Sequence, residues 1–271
     1  MPRCADKPGA IDGFRLAGTR FSFSKPLDAN LLAPAFHPFI HHDGPEDLTC
    51  AVGGLKPDAS LEALPALPDA PWSFAMSGGR IEVMRRDCDG YTVWRLQGSV
   101  PLTSAVLRWH PTLFARRCVS LERNLGHGLG LVLTTLRLLT HRGLVLHAMA
   151  AELDGQGILC AGVSGRGKST LARLLDAAGA KVLTDERPVV RQWPTPAADA
   201  AAPARSAFRV YGSPWPSSAG FARDAWAPLR RIYFIEHGGA SRITPLDPPV
   251  ALRRLIPVTT VPWQTPDLLD P

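Results

Sequence analysis

The sequence predicts an α/β protein in which a smaller, mainly β region stands first and a strand–loop–helix–strand unit follows. Three observations carry that expectation. RIEVMRR and YTVWRLQG alternate apolar and polar residues on either side of DCDG, the pattern of a β-hairpin. Leu129, Val132, Leu133, Leu136 and Leu139 recur at helical spacing. GVSGRGKS, from Gly162 to Ser169, stands between an apolar run and an amphipathic stretch, where a strand gives way to a helix.

Taken in order, residues 1–70 are rich in Pro and Ala and hold few long periodic runs, so short elements separated by turns are expected there. SAVLRWH reads as a strand after the hairpin. Gly143 is placed to stop the helix that begins at Leu129. LVLHAMAAEL then reads as one strand, Asp154-Gly155 as a tight turn and GILCAG as the returning strand. After the glycine-rich loop, STLARLLDAAG sets Leu171, Leu174, Leu175 and Ala178 on one helical face, with Gly179 as its stop. AKVLTDE is a short strand ending in two carboxylates. Residues 187–205 open as a strand and become a low-complexity Pro/Ala loop. FRVYGSPWPSSAGF and PLRRIYFIEHG resume structured patterns, the second with a strand core in RIYFIE, VALRRLI reads as a short helix, and the tail shows no clear element.

At 271 residues, with 45% apolar and 20% charged side chains, the chain has material for one or two domains with buried cores. The division expected is residues 1–122, an accessory region with a candidate role in substrate binding, and residues 123–271. The net charge of +6 is carried mostly by arginine. No dense basic run tracks a nucleic acid, so a nucleic-acid partner is not expected. Cys4, Cys50, Cys88, Cys118 and Cys160 are scattered without a CxxC pair, which suits reduced thiols. MPRCADKPGAIDGF lacks the apolar core of a signal peptide, and the Leu129–Leu139 stretch is too short to span a bilayer and contains Arg137. A cytoplasmic protein with no membrane partner is expected.

The glycine-rich loop matches G-x4-G-K-[ST] in full, and its chemistry explains each fixed position. Backbone N–H groups must curve around phosphate oxygens, which glycines permit. Lys168 brings a compact positive charge to the outer phosphates, Ser169 offers a hydroxyl to Mg²⁺, and the helix start adds its positive dipole end. Gly162, Val163, Ser164, Gly165, Arg166, Gly167, Lys168, Ser169 and Thr170 are therefore the expected nucleotide-binding residues. A right-handed crossover brings the C-terminal ends of both strands to one sheet edge, so Asp185 and Glu186 are expected near the phosphates. One acid would hold metal and the other accept a proton. His147 lies on the strand folded beside the loop-bearing one. It is read either as a core histidine or as a neighbour of the reaction centre.

The run HAMAAELDGQGILCAGVSGRGKSTLARLLDAAGAKVLTDE resembles the catalytic core of the HPr kinase/phosphorylase family. More narrowly, it resembles the HPr-kinase-related proteins of biosynthetic gene clusters, which include kinases of lasso-peptide precursors. YGSPWPSSAGF and PLRRIYFIE are similar to the downstream part of that group. The resemblance covers about Leu125 to Ile256. It implies a phosphate-loop domain of the HPr-kinase and PEP-carboxykinase type, ATP and Mg²⁺ as cofactors, and a peptide or small-protein substrate. It also implies association of like chains. Carried over, His147 would lie near the transferred phosphoryl group, Lys168 on the phosphates and Ser169 on Mg²⁺. Asp185 would be the base, with Glu186 at the metal where the family usually has a second Asp. Arg209, in FRVYG, falls near where HPr kinases carry a metal-binding Glu. The glycine-rich phosphorylase segment is not recognisable, so neither dephosphorylation nor HPr as substrate is expected.

A small-molecule kinase with the same core and a non-catalytic nucleotide sensor remain alternatives. His37, His41, His42 and Asp43 carry metal-ligating groups, yet their Pro-flanked setting favours a polar loop. Trp215, in GSPWPSS, reads as a structural turn before an acceptor contact.

Overall fold

In the computed structural model, residues 9–41, 46–54, 72–86, 92–109, 120–193, 208–239 and 241–261 are described. They form two mixed sheets with few helices, and the chain divides into two units after Thr140. Among the described residues no helix is long and apolar enough to cross a membrane.

The first unit holds β1 (Ala10–Leu16), β2 (Thr19–Asp28), β3 (Leu48–Gly54), β4 (Trp72–Ser77), β5 (Arg80–Arg86), β6 (Thr92–Ser99) and β7 (Ser104–Trp109). Their order is β1-β2-β3-β7-β6-β5-β4. The RIEVMRR and YTVWRLQG segments pair antiparallel, as expected of a hairpin, and DCDG itself lies outside the described residues. β1 and β2, in a stretch where only short elements were expected, form a second hairpin. It turns through Ala17 and Gly18 at φ 51° and 74°. Its core is aromatic: Phe14 stacks on Phe21 at 4.8 Å and meets Phe36 edge-on at 5.6 Å. Helices α1 (Leu121–His127) and α2 (Leu129–Leu139) complete this unit. Gly143 does not stop α2. The helix ends at Leu139, Arg142 takes the left-handed conformation (φ 50°), and Gly143 already opens the next strand.

The second unit contains β8 (Gly143–Leu146), β9 (Ala148–Leu153), β10 (Gln156–Ala161), helix α3 (Lys168–Ala177), β11 (Lys181–Thr184), β12 (Val189–Gln192), β13 (Phe208–Tyr211), β14 (Trp226–Phe234), helix α4 (Pro248–Leu255) and β15 (Thr259–Thr260). The sheet order is β11-β9-β10-β14-β13-β12-β8-β15. The single strand expected over LVLHAMAAEL is two strands broken at His147. β8 pairs with β12 and β15, whereas β9 pairs with β10 and β11. One continuous chain thus passes from one half of the sheet to the other at this residue. β14 makes a similar passage, pairing first with β13 and then with β10.

The period of two along β9 shows what each face buries. Ala148 and Ala150 join Leu146, Leu159, Val210 and Val258 in a core between the two halves. Met149 and Ala151 join Cys160 and Val182 beneath α3. Small residues on β9 let both layers approach it. α3 rests on Ala172, Leu171 and Leu175, and Leu174, expected on this face, is 63% exposed. Ala172 takes its place because a methyl group lets the helix lie closer to the sheet.

Asp154-Gly155 forms the expected tight turn, both residues at positive φ. β10 and β11 are each antiparallel to β9, hence parallel to each other, so their C-terminal ends share one sheet edge. Ala148 pairs with Ala161, which sets His147 at the same edge as the loop that starts at Gly162.

Gly212 follows β13 and is buried where that chain passes Leu183 and Arg223. A Cβ there would come within 2.7 Å of the Leu183 carbonyl oxygen and closer still to that of Arg223. Gly212→Ala is therefore expected to destabilise the second unit by about 2 kcal/mol or more, measured as a lowered midpoint of urea unfolding.

Candidate functional site

The glycine-rich loop connects β10 to α3. Val163 through Arg166 are exposed, and the Arg166 N–H donates to the Val163 carbonyl at 3.3 Å, forming a turn. Gly165 and Gly167 have φ of +80° and +93°, a region that side chains disfavour, and open space lies where their Cβ atoms would be. Gly167 precedes α3 without a side-chain cap, so the first helical N–H groups are left for a ligand or water. Ser169 is half-buried and Thr170 exposed at this end.

Lys168 is only 7% exposed. Its Nζ donates to the Gly162 carbonyl at 2.7 Å and the Val163 carbonyl at 3.2 Å. An ammonium has three donors, so one remains. Burial lowers its pKa, the Glu186 carboxylate works against that, and the Arg187 cation adds to it.

Thr184, Asp185, Glu186, Arg187 and Pro188 run beside the corner at His147. The Ala148 N–H donates to the Glu186 carbonyl at 2.9 Å and the Leu146 N–H to the Pro188 carbonyl at 3.1 Å. These two bonds bracket His147, whose own N–H goes to the Val258 carbonyl at 2.6 Å. The His147 Nε2 lies 3.9 Å from a Glu186 carboxylate oxygen, which also lies 3.6 Å from the Arg187 Nε. The imidazole pKa is lowered, first by burial and then by the Lys168 and Arg187 cations, with Glu186 opposing. At neutral pH His147 is an uncharged donor and acceptor.

The two acids differ sharply. Asp185 is fully buried, and its oxygens accept from the Ser217 N–H at 3.1 Å and the Ala219 N–H at 2.9 Å. The same turn is held from α3, where the Arg173 guanidinium donates to the Ser218 carbonyl at 2.7 Å. Glu186 is 27% exposed and faces His147. Of the residues expected from sequence, Lys168, His147 and Glu186 are brought within electrostatic reach of one another. Asp185 is enclosed by the turn at 217–219.

Arg187 and that turn were not anticipated. The sequence signal was adjacency to the acid pair for Arg187, and an amide-rich Ser-Ser-Ala-Gly turn for the other. Trp215 is 8% exposed, in keeping with the structural reading. Arg209 lies over the Trp226 ring at 3.8 Å and the Trp193 ring at 4.3 Å, so it stacks between aromatics. The His37 Nε2 lies 3.1 Å from the Ala29 carbonyl oxygen, and His42 and Asp43 fall outside the described residues. Among the described residues no group of three or more His, Cys, Asp or Glu side chains is gathered for a metal. In comparisons with known proteins, the chain matches no family model and no curated protein.

Asp185→Ala removes the acceptor of two backbone amides and should destabilise the second unit by about 2–4 kcal/mol, read from denaturant unfolding. The titration of His147 is a separate test. Its imidazole midpoint, followed by NMR, should lie below 6.5 and rise in Lys168→Met, which removes one of the cations depressing it. Because the folded value is depressed, the unfolded chain takes up the proton first as pH falls. This residue's contribution to stability is intact above about 6.5 and is lost as pH drops from there through the folded value.

Proposed function

We propose that the chain is an ATP-dependent kinase with an HPr-kinase-like phosphate-loop domain, transferring a phosphoryl group to a hydroxyl of a peptide or small protein. The observation that carries this reading is the gathering of an open glycine cradle, Lys168, His147 and Glu186 at one sheet edge.

The residues present fit the groups this reading needs. The space above Gly165 and Gly167 would accept phosphate oxygens, and Lys168 keeps a free donor. The Ser169 hydroxyl is a hard oxygen donor of the kind Mg²⁺ takes, alongside phosphates and water; Glu186, expected at the metal, is taken here as the base instead. When bound, Mg-ATP would supply the phosphoryl group, with ADP as the leaving group and the acceptor oxygen forming the new bond, and the metal would offset the phosphates' charge.

The chain's own contribution is position and electrostatics. The loop amides bind the phosphates, and Lys168 exchanges its carbonyl partners for phosphate oxygens. Neutral His147 hydrogen-bonds beside the transfer centre without adding repulsion to Lys168. Glu186, the acid open to solvent, takes the proton of the incoming hydroxyl. Asp185, expected from the resemblance as the base, instead fixes the turn at 217–219 in this reading. A cytoplasmic setting belongs to the same proposal, since the reaction draws on the ATP pool. The buried thiols of Cys50 and Cys160, pushed up to about 12 by burial, are compatible with it.

Lys168→Ala should lower acceptor-dependent ADP release about 10²-fold or more. Glu186→Gln should lower it about 10²- to 10⁴-fold while ATP binding is retained. Unchanged transfer in Lys168→Ala removes the kinase reading. Tight ATP binding with no transfer to any hydroxyl peptide in the unaltered chain would establish a nucleotide sensor instead.

A further inference from the structure

β13 covers only the first part of β14, pairing with Trp226, Ala227 and Pro228. On its other side β14 pairs with β10 from Leu229 to Phe234, with an irregularity at Arg230. Among the described residues, the β13 side of Arg230–Phe234 therefore has no strand beside it. A cavity of about 1120 Å³ opens there, lined by Arg231–Phe234, by the chain at 241–246 and by α4. Side chains alternate across a sheet, so four consecutive strand residues line one cavity only where it lies along the strand's edge.

Among the described residues this edge is charged as well as unpaired. Its cavity holds Arg231, Arg242 and Arg254 against a single carboxylate, Glu236, which is already paired with Arg254. Among the described residues, Arg231 and Arg242 have no carboxylate partner. Arg231 shares a face with Tyr233, whose hydroxyl it reaches at 3.4 Å, and Ile232, 40% exposed, lies on the other face. Ile243 adds a second exposed apolar side chain, at 79%. The edge leads directly to the phosphate loop. Phe234 pairs with Ala161, the residue before Gly162, and the His237 Nε2 lies 3.4 Å from the Gly165 carbonyl oxygen.

We propose that the Arg230–Phe234 edge of β14 binds an extended acidic peptide as an added strand, its acidic side chains on Arg231 and Arg242 and its apolar ones on Ile232 and Ile243. Main-chain hydrogen bonds supply affinity in such a mode, and alternate side chains supply selectivity. Resting on the kinase reading above, it gives that enzyme its substrate class: a peptide whose acceptor hydroxyl stands about three to five residues from an acidic–apolar stretch, the strand rise spanning the distance to the loop.

The test is fluorescence anisotropy at low ionic strength with the full chain and a labelled Glu-Val-Glu-Val-Glu-Val probe. The probe should bind about tenfold or more tightly than its Gln-Val counterpart, and binding should weaken similarly in Arg231→Ser/Arg242→Ser. The unaltered protein should also lose about tenfold when alternate backbone amides of the probe are N-methylated, because an added strand needs those donors. Equal binding of the Glu and Gln probes, or no effect of the double substitution, overturns the charge assignment. Tolerance of N-methylation overturns strand addition. ATP binding, followed in parallel, separates the two proposals. If the Glu probe binds selectively while no hydroxyl peptide is phosphorylated, the kinase reading falls and the docking site stands. If ATP binds and the probe does not, the docking site falls alone.

Discussion

The site depends on the way a single chain turns a corner at His147. β8 and β9 are consecutive, yet they belong to opposite halves of the same sheet, so the residue between them must leave one ladder and enter another. The backbone groups there would go unpaired unless a neighbouring segment supplied acceptors, and an unpaired buried amide costs about 1–3 kcal/mol. The carbonyls of Glu186, Pro188 and Val258 supply them. Satisfying the fold's corner thus fixes the backbone of the acidic segment beside the histidine. The position of Glu186 is set by a structural need, and any chemistry there makes use of a geometry the fold already requires.

A second constraint acts from the opposite side. Asp185 is adjacent to Glu186 in sequence, and an extended chain points consecutive side chains in opposite directions. With Glu186 facing His147, Asp185 is directed inward, where a charge must be met by hydrogen bonds. The amides of Ser217 and Ala219 meet it, and Arg173 ties the same turn to α3. α3 begins at the glycine-rich loop, so the buried acid joins the acidic segment to the helix that carries the loop. One acid is left for solvent and the other for architecture.

Much of this could be read from the sequence wherever the signal was local. The Asp154-Gly155 turn, the strand before Gly162 and the helix after it depend on turn chemistry and short-range periodicity, and each falls where those rules put it. What escaped was decided by distant partners. LVLHAMAAEL reads as one strand because nothing in its alternation marks where a chain changes ladders; the break is imposed by Val258 and the 186–188 segment. Leu174 satisfies the helical spacing as well as Leu175, and only the close approach of the sheet to Ala172 decides between them. The β1–β2 hairpin was hidden because Ala17, an unusual residue at positive φ, stands in its turn beside Gly18. The acid pair was legible as a pair, but its division into a buried and an exposed member required Ser217 and Ala219 to be in place.

The charge balance at the loop bears on what the site is built to hold. Lys168 and Arg187 both act on Glu186, which is 27% exposed. Burying the Lys168 ammonium without partners would be costly. In the ligand-free protein two carbonyls of its own loop stabilise it. Because the donor is ionised, each of these contacts is already a charge-assisted hydrogen bond, to an acceptor that is only a dipole. On the proposed reading, phosphate oxygens would bring an opposite full charge to Lys168 where the two carbonyls bring dipoles. His147 stays uncharged and so adds no third fixed cation to compete with Lys168 and Arg187 for Glu186. The depressed imidazole, the lysine held by its own loop and the half-buried Glu186 form one electrostatic arrangement, which on the proposed reading receives a polyanion and a partner that gives up a proton.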